Sequence, residues 1–435
     1  VKTLNLSITS LAYGGAGVGR HEGKVCFVPY TAPGDEAVVR LTREKRGYCE
    51  GELVSLLTPS PERTEPDCPL FGRCGGCIWQ HLTYDSQVRA KEEILRGFLS
   101  RLDPSAQALP LVPSPRPFGY RNRIQLKVRG TADGVLIGFY RRGSHFVIDI
   151  ADHCPLASPW LNAVLPPLRR LLSAFPARDR VPQVDAVHGD DGRVHLTFHV
   201  LGGIGELLAP YLLERQAVFP ESLGGLHLQS GRKDSLVTLV GENELFSRIA
   251  GAGGRFVDLG FTCDGFSQVN SGVNALLVAQ VAALAAQWGG GRLLDLYCGN
   301  GNLSLPLASL FREIEGVEGY PPSIDSARRN AISNGIGTCR FHVAAAEDFL
   351  QLVDEAAEIS LALLDPPREG ARLAVERLAA AGVPRILYVS CDPATLARDG
   401  SVLCRSGYAL RSFRGFDMFP QTYHIETLAL FETHR

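Results

Sequence analysis

The chain has 435 residues, 45% of them hydrophobic, enough for two or three domains with real cores. Its 44 Lys and Arg nearly balance 46 Asp and Glu, which excludes a chain-wide basic field, so any nucleic-acid contact must rest on a local patch. The start, Val1-Lys2-Thr3-Leu4-Asn5, lacks a signal peptide's basic and apolar regions, and no apolar run reads as a membrane span, so a soluble, cytoplasmic protein is expected. Eleven cysteines without an export signal argue against a disulfide framework and for reduced thiols, metal ligands or a catalytic thiolate.

Residues 1–57 alternate short β-branched runs with Gly-rich and Pro-Gly turns, the pattern of a small all-β barrel. Within it, "RLTREKRGY" gathers Arg40, Arg43, Lys45 and Arg46 beside Tyr48, either a solvated strand face or a local basic patch. A Pro-rich connector, "TPSPERTEPDCP", leads out of this unit. The second expected unit, 58–265, opens on Cys68, Cys74 and Cys77 in "CPLFGRCGGCIWQ", and Cys154-Pro155 follows much later. Three close thiols and a remote fourth can serve one metal centre. Zinc commonly uses two Cys-x2-Cys pairs, whereas three clustered cysteines plus a distant Cys-Pro suit an iron–sulfur cubane, and spacing leaves both open. Further on, "RPFGYRNRIQLKVRG" interleaves Arg116, Arg121, Arg123, Lys127 and Arg129 with Phe118 and Tyr120, and Arg141 and Arg142 follow. Period 2 sets Arg123, Gln125 and Lys127 opposite Ile124, Leu126 and Val128. Such a strand offers phosphate contacts with bases stacked nearby, or is simply an exposed strand.

From residue 266 strands and helices alternate, predicting a mostly parallel sheet covered on both faces, with a closing antiparallel hairpin at its edge. The strand "RLLDLYC" runs into Gly299-x-Gly301 and an expected helix, "NLSLPLASLF"; the third glycine of a dinucleotide loop is missing. Glu318 ends the next strand, where a carboxylate can hold ribose hydroxyls, and Asp365 stands before Pro366 and Pro367 at a later strand end. Together these features suit S-adenosylmethionine better than NAD. Cys391, in "LYVSCDPATLARD", lies in the same row of strand ends, and the following helix is expected to lower its thiol pKa. A thiolate opposite a methyl donor suits pyrimidine C5 methylation by addition to C6, which also needs a base. Glu426 is the candidate, with His424 its rival. Cys26, Cys49, Cys263, Cys298, Cys339 and Cys404 are expected to be packing residues.

"LDLYCGNGNLSLPLA", "LLDPPREG", "YVSCDPATLARD" and "DMFPQTYHIETLALF", with "SQVN" and the cysteine spacing, resemble the RNA uracil-5 (m5U) methyltransferases over essentially the whole chain. The resemblance is to the iron–sulfur, TRAM-containing branch typified by bacterial 23S ribosomal RNA enzymes. It implies an OB-like TRAM barrel that binds RNA, a central α+β domain carrying a 4Fe–4S cluster, and a Rossmann-like class I S-adenosylmethionine-dependent methyltransferase domain over 266–435. It also implies Cys68, Cys74, Cys77 and Cys154 as cluster ligands, and Gln268, Tyr297, Asn302, Glu318 and Asp365 as cofactor contacts. Cys391 would be the nucleophile and Glu426 the base, with Asp365 also orienting the uracil. The chain departs from some relatives at "VAAAED", where alanine near position 345 replaces a polar cofactor contact and backbone groups or Glu347 are the substitutes. The expected substrate is 23S rRNA, acted on by a monomer with no membrane partner. The alternatives are the tRNA T-loop uridine, a catalytically silent RNA-binding factor of the same fold, and cytosine-5 methylation, against which "DPPR" and "SCDP" speak.

Overall fold

The computed structural model describes residues 2–231, 235–352 and 359–433; Val1, His434 and Arg435, at the outer ends of the first and third expected units, lie outside the described residues. The first strands are β1 (Thr3–Leu11), β2 (Gly17–His21), β3 (Lys24–Val28), β4 (Glu36–Glu44) and β5 (Tyr48–Thr58), closed into a barrel in the order β1-β2-β3-β5-β4. Alternation drives the closure: Leu6, Ile8, Val28, Ala37 and Val39 point inward and are buried. Cys26 and Cys49 correct the expectation of free packing thiols. They face each other across the β3–β5 pairing with Cα atoms 4.6 Å apart and form a disulfide.

The helix α1 (Tyr84–Leu102) and strand β6 (Leu109–Val112) follow. A seven-stranded sheet comes next, built from β7 (Arg123–Thr131), β8 (Gly134–Tyr140), β9 (Val147–Asp149), β10 (Gln183–His188), β11 (Val194–Val200), β12 (Leu223–Ser230) and β13 (Leu236–Val240). Helices α2 (Pro159–Ala174) and α3 (Gly205–Arg215) cover one face. The period-2 reading of β7 holds, since Ile124, Leu126 and Val128 are buried in that core. Its polar face is less free than expected: Lys127 bonds Gln183, and Gln125 donates to Asp185 at 3.5 Å. Tyr120 is also buried, its hydroxyl donating to Pro420 O, and Arg121 is enclosed beside Cys77 and Cys154, which removes both from an RNA-facing surface. Arg116, Arg129, Arg141 and Arg142 are exposed.

The hairpin β14 (Glu244–Ala250) and β15 (Phe256–Thr262) leads to α4 (Ser271–Ala285). The final sheet is made by β16 (Arg292–Leu296), β17 (Glu313–Glu318), β18 (Cys339–Val343), β19 (Ile359–Leu364), β20 (Arg385–Ser390), β21 (Tyr408–Phe416) and β22 (Glu426–Thr433). Helices α5 (Pro321–Ser333), α6 (Ala346–Leu352), α7 (Arg372–Ala380) and α8 (Pro393–Arg405) alternate with them. The strand order β18-β17-β16-β19-β20-β22-β21-β6 reverses direction between β16 and β19, the place where open α/β sheets bind ligands.

Three expectations change here. The β21–β22 pair is not the edge, because β6 adds in parallel outside β21, and α1 packs its Ile94, Leu95 and Leu99 into a core of this same sheet. Two elements from before residue 266 thus complete this sheet. The expected helix after Gly301 is only a 3-10 turn at Leu305–Leu307, since Pro306 cannot donate to a helical ladder. Finally, Ser271–Trp288 is long and apolar enough by length and composition to cross a membrane; a third of it is buried, with Val273, Leu277, Val278 and Val281 in a core shared with the sheet.

Candidate active site

The ends of β16, β17, β19 and β20 point one way, and β22 runs antiparallel to β20, so its first residue arrives at the same rim. Asp295, Glu318, Asp365, Cys391 and Glu426 are therefore neighbours along one edge although 131 residues separate the first from the last. Ser390 pairs with Thr427, and Thr427 Oγ1 donates to Ser390 O at 2.8 Å, locking the strand that ends at the thiol to the strand that begins with the carboxyl. This rim borders a cavity of about 810 Å³, lined by Gln268, Tyr297, Asn302, Glu318, Asp365, Arg368, Cys391 and Glu426. All seven residues expected in catalysis or cofactor contact face it; His424 does not line it.

The glycine turn is built for close approach. Tyr297 has φ 64°, Gly299 55° and Gly301 89°, so three residues in five are left-handed. A Cβ on Gly299 would meet nothing within 4 Å, leaving backbone open to a ligand, whereas on Gly301 it would strike Leu305. Asn302 and Asn274 exchange amide hydrogen bonds at 2.8 and 3.0 Å. Glu318 Oε1 accepts from Tyr320 N at 2.8 Å, which orients the carboxylate at the cavity wall. Tyr297 donates to Glu347 at 2.9 Å, and Ala345 and Glu347 both line the cavity, so the carboxylate that follows the alanines is present there but already engaged.

The electrostatics concern protons held where water is excluded. Burial raises Asp295 to about 7, opposed by the Ser304 hydroxyl and reinforced by Asp365 and Glu318. Burial raises Asp365, and raises Glu426 well above the usual carboxylate range with help from Asp365, while Arg368 pulls Glu426 back down. Cys391 overturns the expectation of a lowered thiol. Burial and then Glu426 push it up to about 11, with Arg368 opposing through its charge and a hydrogen bond. The helix N-terminus fails to help because Asp392 occupies it, accepting from Ala394 N at 2.8 Å and Thr395 N at 3.3 Å. Arg368, exposed, lining the same cavity and reaching this thiol, is the neighbour that sequence reasoning missed; its place in "DPPREG", directly after the rim prolines, was the available signal.

A second cavity, of about 360 Å³, is lined by Cys68, Cys74, Cys77 and Cys154 together with Arg121. Burial pushes Cys74 up to about 11 and Cys77 to about 12, and the thiols raise one another further. Gln80 donates to Cys77 Sγ at 3.2 Å, Gly76 N to Cys74 Sγ at 3.4 Å, and among the described residues the buried Arg121 Nε has no hydrogen-bond partner. Among the described residues no group of three or more His, Cys, Asp or Glu converges as ligands of a single ion.

The tRNA (uracil-5-)-methyltransferase family matches residues 83–434, and the TRAM domain matches residues 1–54. The chain belongs to the uracil-5-methyltransferase family. It is an RNA methyltransferase with an N-terminal TRAM barrel and an S-adenosylmethionine-dependent methyltransferase fold. It is 37% identical to an uncharacterized RNA methyltransferase of Thermosynechococcus vestitus, over 99% of this chain and 98% of that one. It is also 37% identical to the 23S rRNA (uracil(1939)-C(5))-methyltransferase RlmD of Alkalilimnicola ehrlichii, over 98% and 96%. Among solved structures it is similar to the Pyrococcus abyssi tRNA (uracil-54, C5)-methyltransferase in complex with S-adenosyl-L-homocysteine. That match has 27% identity and a TM-score of 0.75, over 98% of this chain and 99% of the other.

Proposed function

We propose that this family member methylates carbon 5 of a uridine in 23S ribosomal RNA, in the cytoplasm, through a covalent adduct on Cys391. The observation that carries the covalent reading is that Cys391, Glu426 and the glycine turn line one cavity. The Cys391 thiolate adds to uracil C6, and the C5–C6 electron pair then takes the methyl group from the sulfonium of S-adenosylmethionine. Glu426 accepts the C5 proton, the C5–C6 double bond re-forms, and the C6–S bond breaks to return the thiolate. Gln268, Tyr297, Asn302, Glu318 and Asp365 hold the cofactor, Asp365 also faces the uracil, and Arg368 stabilises the thiolate. The ribosomal substrate is supported by full-length likeness to the 23S enzymes. A tRNA uridine is the second reading, favoured by the likeness to the Pyrococcus abyssi enzyme.

In this reading the barrel, 1–57, and the exposed arginines of the 58–265 unit grip RNA, while 266–435, completed by α1 and β6, performs the chemistry. The four thiols hold a 4Fe–4S cluster. What supports this is that all four thiols line one cavity, and that three clustered cysteines with a remote Cys-Pro suit an iron–sulfur cubane better than the paired Cys-x2-Cys of zinc sites. When bound, such a cluster would tie the 68–77 segment to Cys154. Arg121, with an unpartnered Nε, offsets the negative charge of the thiolates. The test is incubation with 5-fluorouracil-substituted 23S and transfer RNAs plus cofactor. A denaturation-stable adduct mapped to Cys391 is expected with the ribosomal RNA. No adduct with either RNA, or undiminished methylation by Cys391→Ala, would sink the reading. Iron and sulfide analysis after anaerobic purification separates cluster from zinc.

A further inference from the structure

The loop Asp417–Ile425 joins β21 to β22, and its neck is the register pair Phe416↔Glu426, so its shape sets where the Glu426 carboxyl points. Few of its backbone groups are left to their own devices. Ile78 N and Trp79 N, directly after Cys77, both donate to Gln421 O at 3.0 and 3.1 Å. Gln87 and Gln421 form a closed pair: Gln87 Nε2 donates to Gln421 Oε1, and Gln421 N donates to Gln87 Oε1, each at 2.9 Å. Gln421 Nε2 reaches Pro117 O at 3.4 Å. Around this node, Lys91 Nζ holds Asp417 Oδ1 at 2.5 Å and Phe419 O at 3.1 Å, and Tyr84 donates to Asp417 Oδ2 at 2.8 Å. Tyr120 secures Pro420 O, and Asn270 secures Met418 O.

Gln421 itself is buried and left-handed, with φ 67°, a conformation a side chain adopts only when its surroundings impose it. The hydrogen bonds that impose it come from Ile78 and Trp79, next to Cys77, from Gln87 in the first turn of α1, and from Pro117, and not from the strands β16–β22. We propose that Gln421 is a positioning residue for Glu426, transmitting the fixed frame of the cysteine hairpin to the carboxyl that must meet the C5 proton. The inference rests on the covalent reading above.

That chemistry provides a selective readout. Addition of Cys391 and methyl transfer precede the step that uses Glu426. A misplaced carboxyl leaves the methylated base bonded to sulfur, because the C5 proton stays and the C6–S bond cannot break. A loop that served only the fold would weaken RNA binding, addition and release alike.

The experiment compares full-length wild type with Gln421→Gly, which deletes the amide while accepting the positive φ, and with Gln87→Ala, which leaves residue 421 intact. Each is mixed with uridine RNA and cofactor, and the enzyme–RNA species surviving denaturation is measured beside turnover. A general base is worth about 10²–10⁴-fold, so partial misplacement is expected to slow turnover by about 10–100-fold. The covalent methylated species should accumulate as in Glu426→Gln, with RNA affinity and 5-fluorouracil adduct rate within about threefold of wild type. Gln87→Ala should follow with a smaller effect, and it decides the matter if Gln421→Gly does not fold. Unchanged turnover, or a parallel loss of binding and adduct formation without accumulation, overturns the proposal. A wild type that neither methylates RNA nor forms adduct would instead overturn the covalent reading itself.

Discussion

The two thiol-lined cavities look alike by acidity and differ in company. Cys74 and Cys77 are pushed up to about 11 and 12, Cys391 to about 11, and burial is the first cause in all three. In the smaller cavity the next influences are hydrogen bonds to sulfur and the other thiols, so several like groups face one another with Arg121 as their shared counter-charge. Such a set is relieved together, by a group that takes several thiolates at once. At the strand ends the thiol stands opposite a carboxyl and an arginine, and it is relieved singly, through Arg368. A raised thiol pKa therefore does not separate ligand from nucleophile; the neighbouring charges do.

The strongest way to break this comparison is to exchange thiol for methyl at each place. Cys391→Ala should lower kcat by at least about 10⁴-fold while leaving iron content and cofactor binding near wild type. With the proposed cluster in place, Cys154→Ala should do the reverse in kind, releasing iron and sulfide and lowering Tm, with a smaller loss of activity than Cys391→Ala. Equal activity losses with equal iron contents would show that the two sets of thiols are not doing different jobs.

A sharper division runs within the strand-end cavity, where Glu426 raises the thiol and Arg368 lowers it. Arg368→Gln should raise the Cys391 pKa, and each tenfold fall in the thiolate fraction should slow 5-fluorouracil adduct formation at pH 7 by about 10-fold. Because the wild-type thiol already sits near 11, both rates should climb with pH, and the deficit should persist up to that region. Glu426→Gln has the opposite sign: removing the carboxylate lowers the thiol, so adduct formation at pH 7 should be no slower while product release is lost. Stopped-time gels across about pH 6–10 measure both. Adduct rates independent of pH in all three proteins would mean the thiolate is not the attacking species.

How much of this was legible follows from where the information resides. Period 2 in "RIQLKV" and the rim motifs "LDLYCGNGN", "LLDPP" and "SCDP" are local, and the sheet sets them side by side as read. The barrel alternation is equally local, but the Cys26–Cys49 bond depends on β3 lying parallel to β5, a pairing no local pattern specifies. The same holds for β6, which a four-residue run could not assign to a sheet whose other strands begin about 180 residues later. The acidity of Cys391 escapes a reading that treats the helix N-terminus as free, although the next residue, Asp392, is an N-cap by type. By composition Tyr120 and Arg121 read as surface, and only tertiary packing encloses them.

The smallest expected effect concerns Asp295, the one rim carboxyl with no assigned contact to substrate. It is fully buried, the Ser304 hydroxyl serves one oxygen, and among the described residues Oδ1 has no side-chain partner. Its folded pKa, about 7, lies above the 3.8 of the unfolded chain, so between those values the folded state binds more protons and stability falls as pH rises. Below about pH 4 both states are protonated and the charge costs nothing; above about pH 7 the full cost is present. Asp295→Asn, which cannot ionise, should therefore stabilise the ligand-free protein at pH 8 by about 1–3 kcal/mol, under the ceiling of roughly 1.4 kcal/mol for every tenfold difference in acidity between the two states. The gain should shrink steadily as pH is lowered and vanish near pH 4, as measured by denaturant midpoints at several pH values. A gain that does not depend on pH would assign the effect to packing. A loss at pH 8 would show that the charged form is held by partners.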